Sequence, residues 1–185
     1  MELIRTIKAD LFRRQGKSSN KDLLSALFRV PQFKLVYLKR KCEYFSNKNR
    51  MMYYLYRFLY EKYQIKYNTQ IPALTKIGIG FVIGHYGGIV INPATVIGKN
   101  VNVFNGVLIG AEFRGRRKGT PVIGNEVWIG SNAVLIGSIQ IGNNVLIAPN
   151  SYVNFDVPDN SVVIGNPAKI VNKKDATYNY IGHTI

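Results

Sequence analysis

An aliphatic residue returns at every sixth position through about half of the chain: Ile71, Ile77 and Ile83, then Ile91, Ile97, Val103 and Ile109, then Ile123, Ile129, Leu135, Ile141, Ile147 and Val153. A period of six fits neither the 3.6 of a helix nor the 2 of a plain strand, and a short unit repeated in this way predicts a solenoid. Three hexads make one triangular coil of a parallel β-helix. Each hexad is a short strand with its aliphatic residue pointing into the prism, followed by a tight turn of small or flexible residues, here mostly Gly and Asn. Gly78, Gly98, Gly110, Gly124, Gly130, Gly142 and Gly165 directly follow an aliphatic residue, as such turns require.

The repeat breaks twice. The step from Ile83 to Ile91 is eight residues and that from Ile109 to Ile123 is fourteen, so each carries two residues beyond whole hexads, or the second carries a complete extruded loop. Insertions in a solenoid collect on one face, often the binding face. The first break reads Gly84-His85-Tyr86-Gly87-Gly88, and the second runs from Ala111 to Pro121 as AEFRGRRKGTP. One of the two histidines of the chain stands in the first break.

Residues 1–70 carry no hexads. Their pattern predicts four helices, over 2–14, 20–28, 33–45 and 49–63, with Pro31 separating the second from the third. Leu35, Leu38 and Cys42, and likewise Leu55, Leu59 and Tyr63, repeat at helical spacing and give each of these helices a stripe to bury. The chain is thus expected to comprise a helical segment (1–70), a β-helix (71–171) and a tail (172–185).

Charge sharpens this division. Residues 1–70 hold 16 Lys and Arg against 5 Asp and Glu, a net of +11, whereas residues 71–185 hold 9 against 5, a net of +4. The front segment reads as a cap over the open end of the prism that also packs subunits together, because an uncapped coil exposes backbone groups and apolar side chains. A second role, contact with an anionic membrane surface, follows from the mixture of aromatic and cationic residues in MMYYLYRFLYEKY. A basic surface without a recognised motif gives no reason to expect nucleic-acid binding. One cysteine, Cys42, excludes an intramolecular disulfide. The absence of a long apolar run or a leader-like N-terminus predicts a cytoplasmic protein.

Residues 71–171 resemble the hexapeptide-repeat acyltransferases with a left-handed β-helix, in the branch that contains serine acetyltransferases and the acetyltransferases of capsule and exopolysaccharide synthesis. The resemblance rests on the repeats, on IGHYGGIVIN (83–92), VFNGVLIG (103–110), the basic loop, and DVPDNSVVIGNPAKIV (156–171). It implies acetyl transfer from acetyl-CoA, a homotrimer with the donor groove between prisms, possible pairing of trimers, and no metal. A metal-dependent β-helical enzyme would use three histidine ligands, and this chain has two histidines. A noncatalytic scaffold is the alternative of another class.

The resemblance places the general base at His85, which would deprotonate the acceptor hydroxyl for direct attack on the thioester. An imidazole with a pKa of about 6.5 can accept that proton near neutrality. Gly110, Ala111, Gly130, Ser131, Ala148 and Gly165 are candidates for lining the pantetheine arm, with backbone amides there available to a developing oxyanion. Lys169 and Lys174 are candidates for the nucleotide phosphates. Trp128 reads equally as a trimer or a ligand contact, and His183 has no setting that suggests chemistry.

The acceptor is the point of departure. The serine-specific pattern has an acid where this chain has Gln70, another where it has Gly84, and an Arg-His pair where it has Gly119-Thr120. Without them, a zwitterionic acceptor would be poorly paired in a closed site. Tyr86, Asn105, Glu112, Arg114 and Arg116 instead offer an aromatic face, hydrogen-bonding groups and cations suited to a sugar. The expectation is therefore a saccharide O-acetyltransferase of capsule, exopolysaccharide or another surface glycan, with serine O-acetyltransferase as the alternative. A backbone carbonyl or Glu112 is expected to orient His85.

Overall fold

The computed structural model describes residues 2–185. Four helices come first: α1 (Glu2–Gln15), α2 (Asn20–Arg29), α3 (Pro31–Phe45) and α4 (Arg50–Lys66). Their starts follow side-chain chemistry. At α2, Ser19 Oγ accepts the Asp22 amide at 3.2 Å and the Asp22 carboxylate accepts the Ser19 amide at 3.0 Å, a reciprocal cap. At α4, Asn49 Oδ1 accepts the Met52 amide at 3.0 Å. Pro31 belongs to the first turn of α3, where its missing N–H costs no hydrogen bond.

The expected stripe on α3 is buried, with Leu35, Leu38 and Cys42 at most 4% exposed. On α4 the expected stripe holds at Leu59 and Tyr63 but not at Leu55, which is 49% exposed; Tyr53, Tyr56 and Tyr60 complete the packed face. Tyr60 reaches into the end of the prism, where its hydroxyl donates to Ile71 O at 2.8 Å. α3, α4 and the first coil thereby share one apolar core.

The remainder is a three-faced parallel β-solenoid. The first face stacks the strands Thr69–Gln70, Ile89–Ile91, Leu108–Gly110, Val134–Ile136 and Tyr152–Val153. The second stacks Lys76–Ile77, Val96–Ile97, Val122–Ile123 and Gln140–Ile141. The third stacks Val82–Ile83, Asn102–Val103, Val127–Ile129, Val145–Ile147 and Ser161–Ile164, closed by the antiparallel strand Lys169–Asn172. All thirteen hexad aliphatics are buried, the most exposed being Ile77 at 8%. Most hexads bury a second residue two positions earlier, as with Phe81, Ile89, Val101, Val107, Val127, Ile139 and Val145.

The registers resolve the two breaks. Val90 pairs with Leu108 and Val134 with Tyr152, a coil of 18 residues. Thr69 pairs with Ile89, a coil of 20, and Leu108 with Val134, a coil of 26. The first break is a two-residue swelling of a corner, and the second is an extruded loop closed by paired backbone hydrogen bonds of 2.9 Å between Glu112 and Gly119.

Gly and Asn divide the corner between the second and third faces. Left-handed backbone falls mainly on Asn100, Asn144 and Asn160, with φ of 58°, 51° and 57°. The preceding glycines serve close approach: a Cβ on Gly98 would lie 2.5 Å from Gly124 O. At the join with the helices, Asp10 accepts from Arg40 Nε at 2.8 Å and from the amides of Gly80 and Phe81 at 2.7 and 3.0 Å. Arg40 also donates to Ile77 O and Gly78 O.

Residues 173–185 run back along the third face. Thr177 donates through its amide and hydroxyl to Asn144 Oδ1, Asn102 donates to Tyr180 O at 3.3 Å, and Asn100 donates to Ile185 O at 3.0 Å. Arg13 of α1 donates to Gly182 O. The tail thus straps the coils to the helical segment.

Candidate active site

His85 lies in the swollen corner where the third face passes to the first. Its backbone setting is held from both sides: Arg14 Nη1 donates to Ile83 O at 2.7 Å and Gln32 Nε2 to Gly84 O at 3.4 Å. Beyond the histidine, the Gly106 amide donates to Gly87 O at 2.8 Å and the Gly88 amide to Asn68 O at 2.6 Å. The imidazole is exposed and lies against Phe104, ring centroids 5.8 Å apart. Tyr86 packs on Tyr67 at 4.7 Å.

The same corner of later coils stacks on this turn. The Asn132 amide donates to Asn105 O and the Asn150 amide to Ser131 O, both at 2.9 Å. The Ser131 hydroxyl donates to Asn105 Oδ1 at 2.9 Å. His85, Tyr86, Asn105, Gly130, Ser131 and Ala148 therefore line one edge of the prism, with Gly165 at its far end accepting from the Tyr152 amide at 3.1 Å.

The remaining candidates lie elsewhere. Gly110, Ala111, Glu112, Arg114 and Arg116 stand at the opposite ends of the first-face strands, so that face separates them from His85 within one chain. Glu112 does not orient His85 here, because its carboxylate accepts the amides of Phe113 and Arg114 in its own loop, at 3.0 and 3.3 Å. Lys169 and Lys174 are exposed but bracket opposite ends of the closing strand; Lys169 pairs with Ile164 beside the Gly165 corner, and Lys174 O accepts from Asn144.

Two further readings change. The amides of Gly130, Ala148 and Gly165 are engaged with Ile147 O, Val163 O and Ser151 Oγ at 2.9, 2.8 and 3.2 Å, and so are not free to hold an oxyanion. Trp128 is neither free nor solitary: it lies between Phe104, at 4.7 Å, and Tyr180 of the tail, at 5.1 Å. Sequence reasoning did not single out Arg14, Gln32, Phe104 or Tyr180 around His85. Only Phe104 carried a local signal, as the aromatic residue immediately before Asn105. His183 packs on Phe12 at 5.6 Å.

Gln70 lies in a groove of about 770 Å³ over the outer side of the first face, together with Ile65, Asn68, Val90, Leu108 and Gly110. Its walls are mainly apolar side chains with a few polar groups, the composition usual for a ligand or subunit groove.

The family model for bacterial transferase hexapeptide (six repeats) matches residues 120–154. A serine acetyltransferase of Helicobacter pylori is 35% identical over 126 residues, covering 67% of this chain and 72% of the relative. The crystal structure of Neisseria gonorrhoeae serine acetyltransferase in complex with serine superposes with a TM-score of 0.74 at 28% identity, over 92% of this chain and 69% of that one. A serine acetyltransferase in complex with CoA gives 0.72 at 26% identity, over 92% and 68%.

These findings overturn the expectation of a saccharide acceptor, and with it the placement in capsule or exopolysaccharide synthesis. That expectation rests on neutral residues at Gln70, Gly84 and Gly119-Thr120; a handful of side chains weighs less than a match across the helices and every coil. The coiled architecture, the His85 corner and the extent of the match lead to one assignment: the chain belongs to the serine acetyltransferase family of hexapeptide-repeat acyltransferases.

Proposed function

We propose that this chain transfers the acetyl group of acetyl-CoA to the hydroxyl of L-serine, with His85 as general base. The carrying observation is the 35% identity over 126 residues with a serine acetyltransferase; the exposed imidazole in a corner of stacked small-residue turns supports the role of His85. The imidazole accepts the hydroxyl proton as the serine oxygen attacks the thioester carbonyl. The tetrahedral intermediate then collapses, the C–S bond breaks, and the imidazolium returns the proton to the departing thiolate. O-acetylserine and CoA are the products. A base in this position is commonly worth about 10²–10⁴-fold in rate.

In this reading the chain works as a homotrimer. The outer side of the first face supports this, because it presents Val90, Leu108 and Val134 beside the groove, an apolar surface of the kind that subunits cover. A neighbouring copy would then bring its own loop of Glu112, Arg114 and Arg116 towards a His85 edge. Contact of the helical segment with an anionic lipid surface is assigned to the outer stripe of α4, where Met51, Tyr54, Leu55, Phe58 and Ile65 are 49–82% exposed among Arg50, Lys62 and Lys66. No helix among the described residues is long and apolar enough to cross a membrane.

The test is mass-spectrometric detection of O-acetylserine from acetyl-CoA and L-serine. His85→Asn should lose at least a hundredfold in turnover. Wild-type protein that forms no O-acetylserine would refute the proposal.

A further inference from the structure

We infer that Phe104 is the positioning residue that sets the His85 ring, and that Trp128 and Tyr180 hold Phe104 in place from the C-terminal tail. This rests on His85 being the base in the reaction proposed above. The backbone of the turn is pinned at Ile83, Gly84, Gly87 and Gly88 by partners from α1, α3 and the neighbouring coils. Those contacts fix where the His85 Cα sits and leave its side-chain torsions free. The ring contact comes from Phe104, tilted 55° with centroids 5.8 Å apart.

Phe104 occupies that position because Gly84 has no side chain. A Cβ at residue 84 would lie 2.5 Å from Phe104 Cε1, so the ring is seated on bare backbone directly before the histidine. Its other side meets Trp128 at 4.7 Å, and Trp128 meets Tyr180 edge-on at 5.1 Å. Tyr180 is anchored in turn, its carbonyl accepting from Asn102, whose Oδ1 takes a 2.7 Å hydrogen bond from Arg13 of α1. Aromatic pairs at such separations have preferred relative orientations, so displacement at the tail is transmitted along the ladder to the imidazole. A ring with a wider spread of rotamers spends less time aligned with the acceptor proton, and that lowers kcat with little effect on substrate affinity.

The chain has two histidines, which makes a direct test possible: the ring-proton NMR signals of His85, with His183 on Phe12 as an internal control, recorded alongside steady-state kinetics on the full chain. Phe104→Ala should move the His85 signals by removing the ring current of Phe104, leave those of His183 in place, and lower kcat at least tenfold with both KM values within about threefold. Phe104→Tyr, which keeps the ring, should recover most of that loss. Tyr180→Ala, at an exposed position, should give a smaller effect of the same kind and covers the case in which Phe104→Ala does not fold. Unmoved His85 signals, or a folded Phe104→Ala with wild-type kcat, would overturn the inference. If wild type does not use serine while Phe104→Ala still moves the His85 signals, the proposed reaction fails and the positioning stands.

Discussion

Asp10 of α1 and Arg40 of α3 form a buried ion pair, 1% and 4% exposed, on the end of the β-solenoid. Each also bonds backbone of the first coil, Asp10 through the amides of Gly80 and Phe81 and Arg40 through the carbonyls of Ile77 and Gly78. The pair therefore joins three parts of the chain. Removing Asp10 leaves the buried Arg40 with only the part-exposed Glu43 at 3.1 Å as a charged partner and strips the Gly80 and Phe81 amides of their acceptor, so Asp10→Ala should destabilise the protein by about 3 kcal/mol. Urea unfolding monitored by circular dichroism measures this, and a loss below about 1 kcal/mol would show that the pair does not hold the helices to the prism.

Lys39, beside that pair, donates to Thr75 O and to Glu43. Burial pushes its ammonium down to about 8 against the opposing pull of Glu43. Between about pH 8 and the ordinary lysine value near 10.4, the unfolded chain binds more protons than the folded one, so this group makes stability rise with pH across that window, by up to about 1.4 kcal/mol per unit. Lys39→Met should remove the rise. Unfolding free energies of both proteins at pH 7.5 and pH 10 give the comparison, and parallel pH dependence would contradict it.

The thiol of Cys42 is fully buried, and burial pushes it up to about 11. A thiolate reagent at pH 7.5 should modify native protein only as fast as the α3–α4 end opens, and denatured protein within seconds to minutes. Rapid labelling of the native state would mean that this end of the core is open in solution.

Gly98 is required by distance. A Cβ there would lie 2.5 Å from Gly124 O, and backbone cannot yield as a side chain does. Gly98→Ala should cost about 1–3 kcal/mol. Gly182→Ala, where an added Cβ meets nothing within 4 Å, should stay within about 0.5 kcal/mol of wild type. Thermal unfolding of the two variants separates close approach from a general loss of glycine.

The sixfold pattern made the prism legible, because an inward aliphatic residue is required wherever a coil passes a face; Ile71 through Val153 at that spacing are all buried. Helical spacing and Pro31 likewise marked the four helices, whose bounds fall within three residues of those expected, whereas their caps at Ser19 and Asn49 emerge only in the structure. The spacing could not assign residues to corners, since coils of 20, 26 and 18 residues bring Thr69 to Ile89, Leu108 to Val134 and Val134 to Tyr152. His85 and Glu112 consequently read as neighbours and lie across a face from each other. The ladder from His85 to Tyr180 joins four residues with no common period, and the tail that completes it has no hexads. The neutral residues at Gln70 and Gly84 point to a different acceptor only when taken alone, because side-chain identity at a few positions does not decide substrate class against a match across the whole fold.

The most direct test of the account is release of free thiol from acetyl-CoA by the full chain, with and without L-serine, for wild type and His85→Ala. Wild type should release thiol only when serine is present, and folded His85→Ala should lose at least a hundredfold. Release that is independent of serine, or undiminished in His85→Ala, would contradict it.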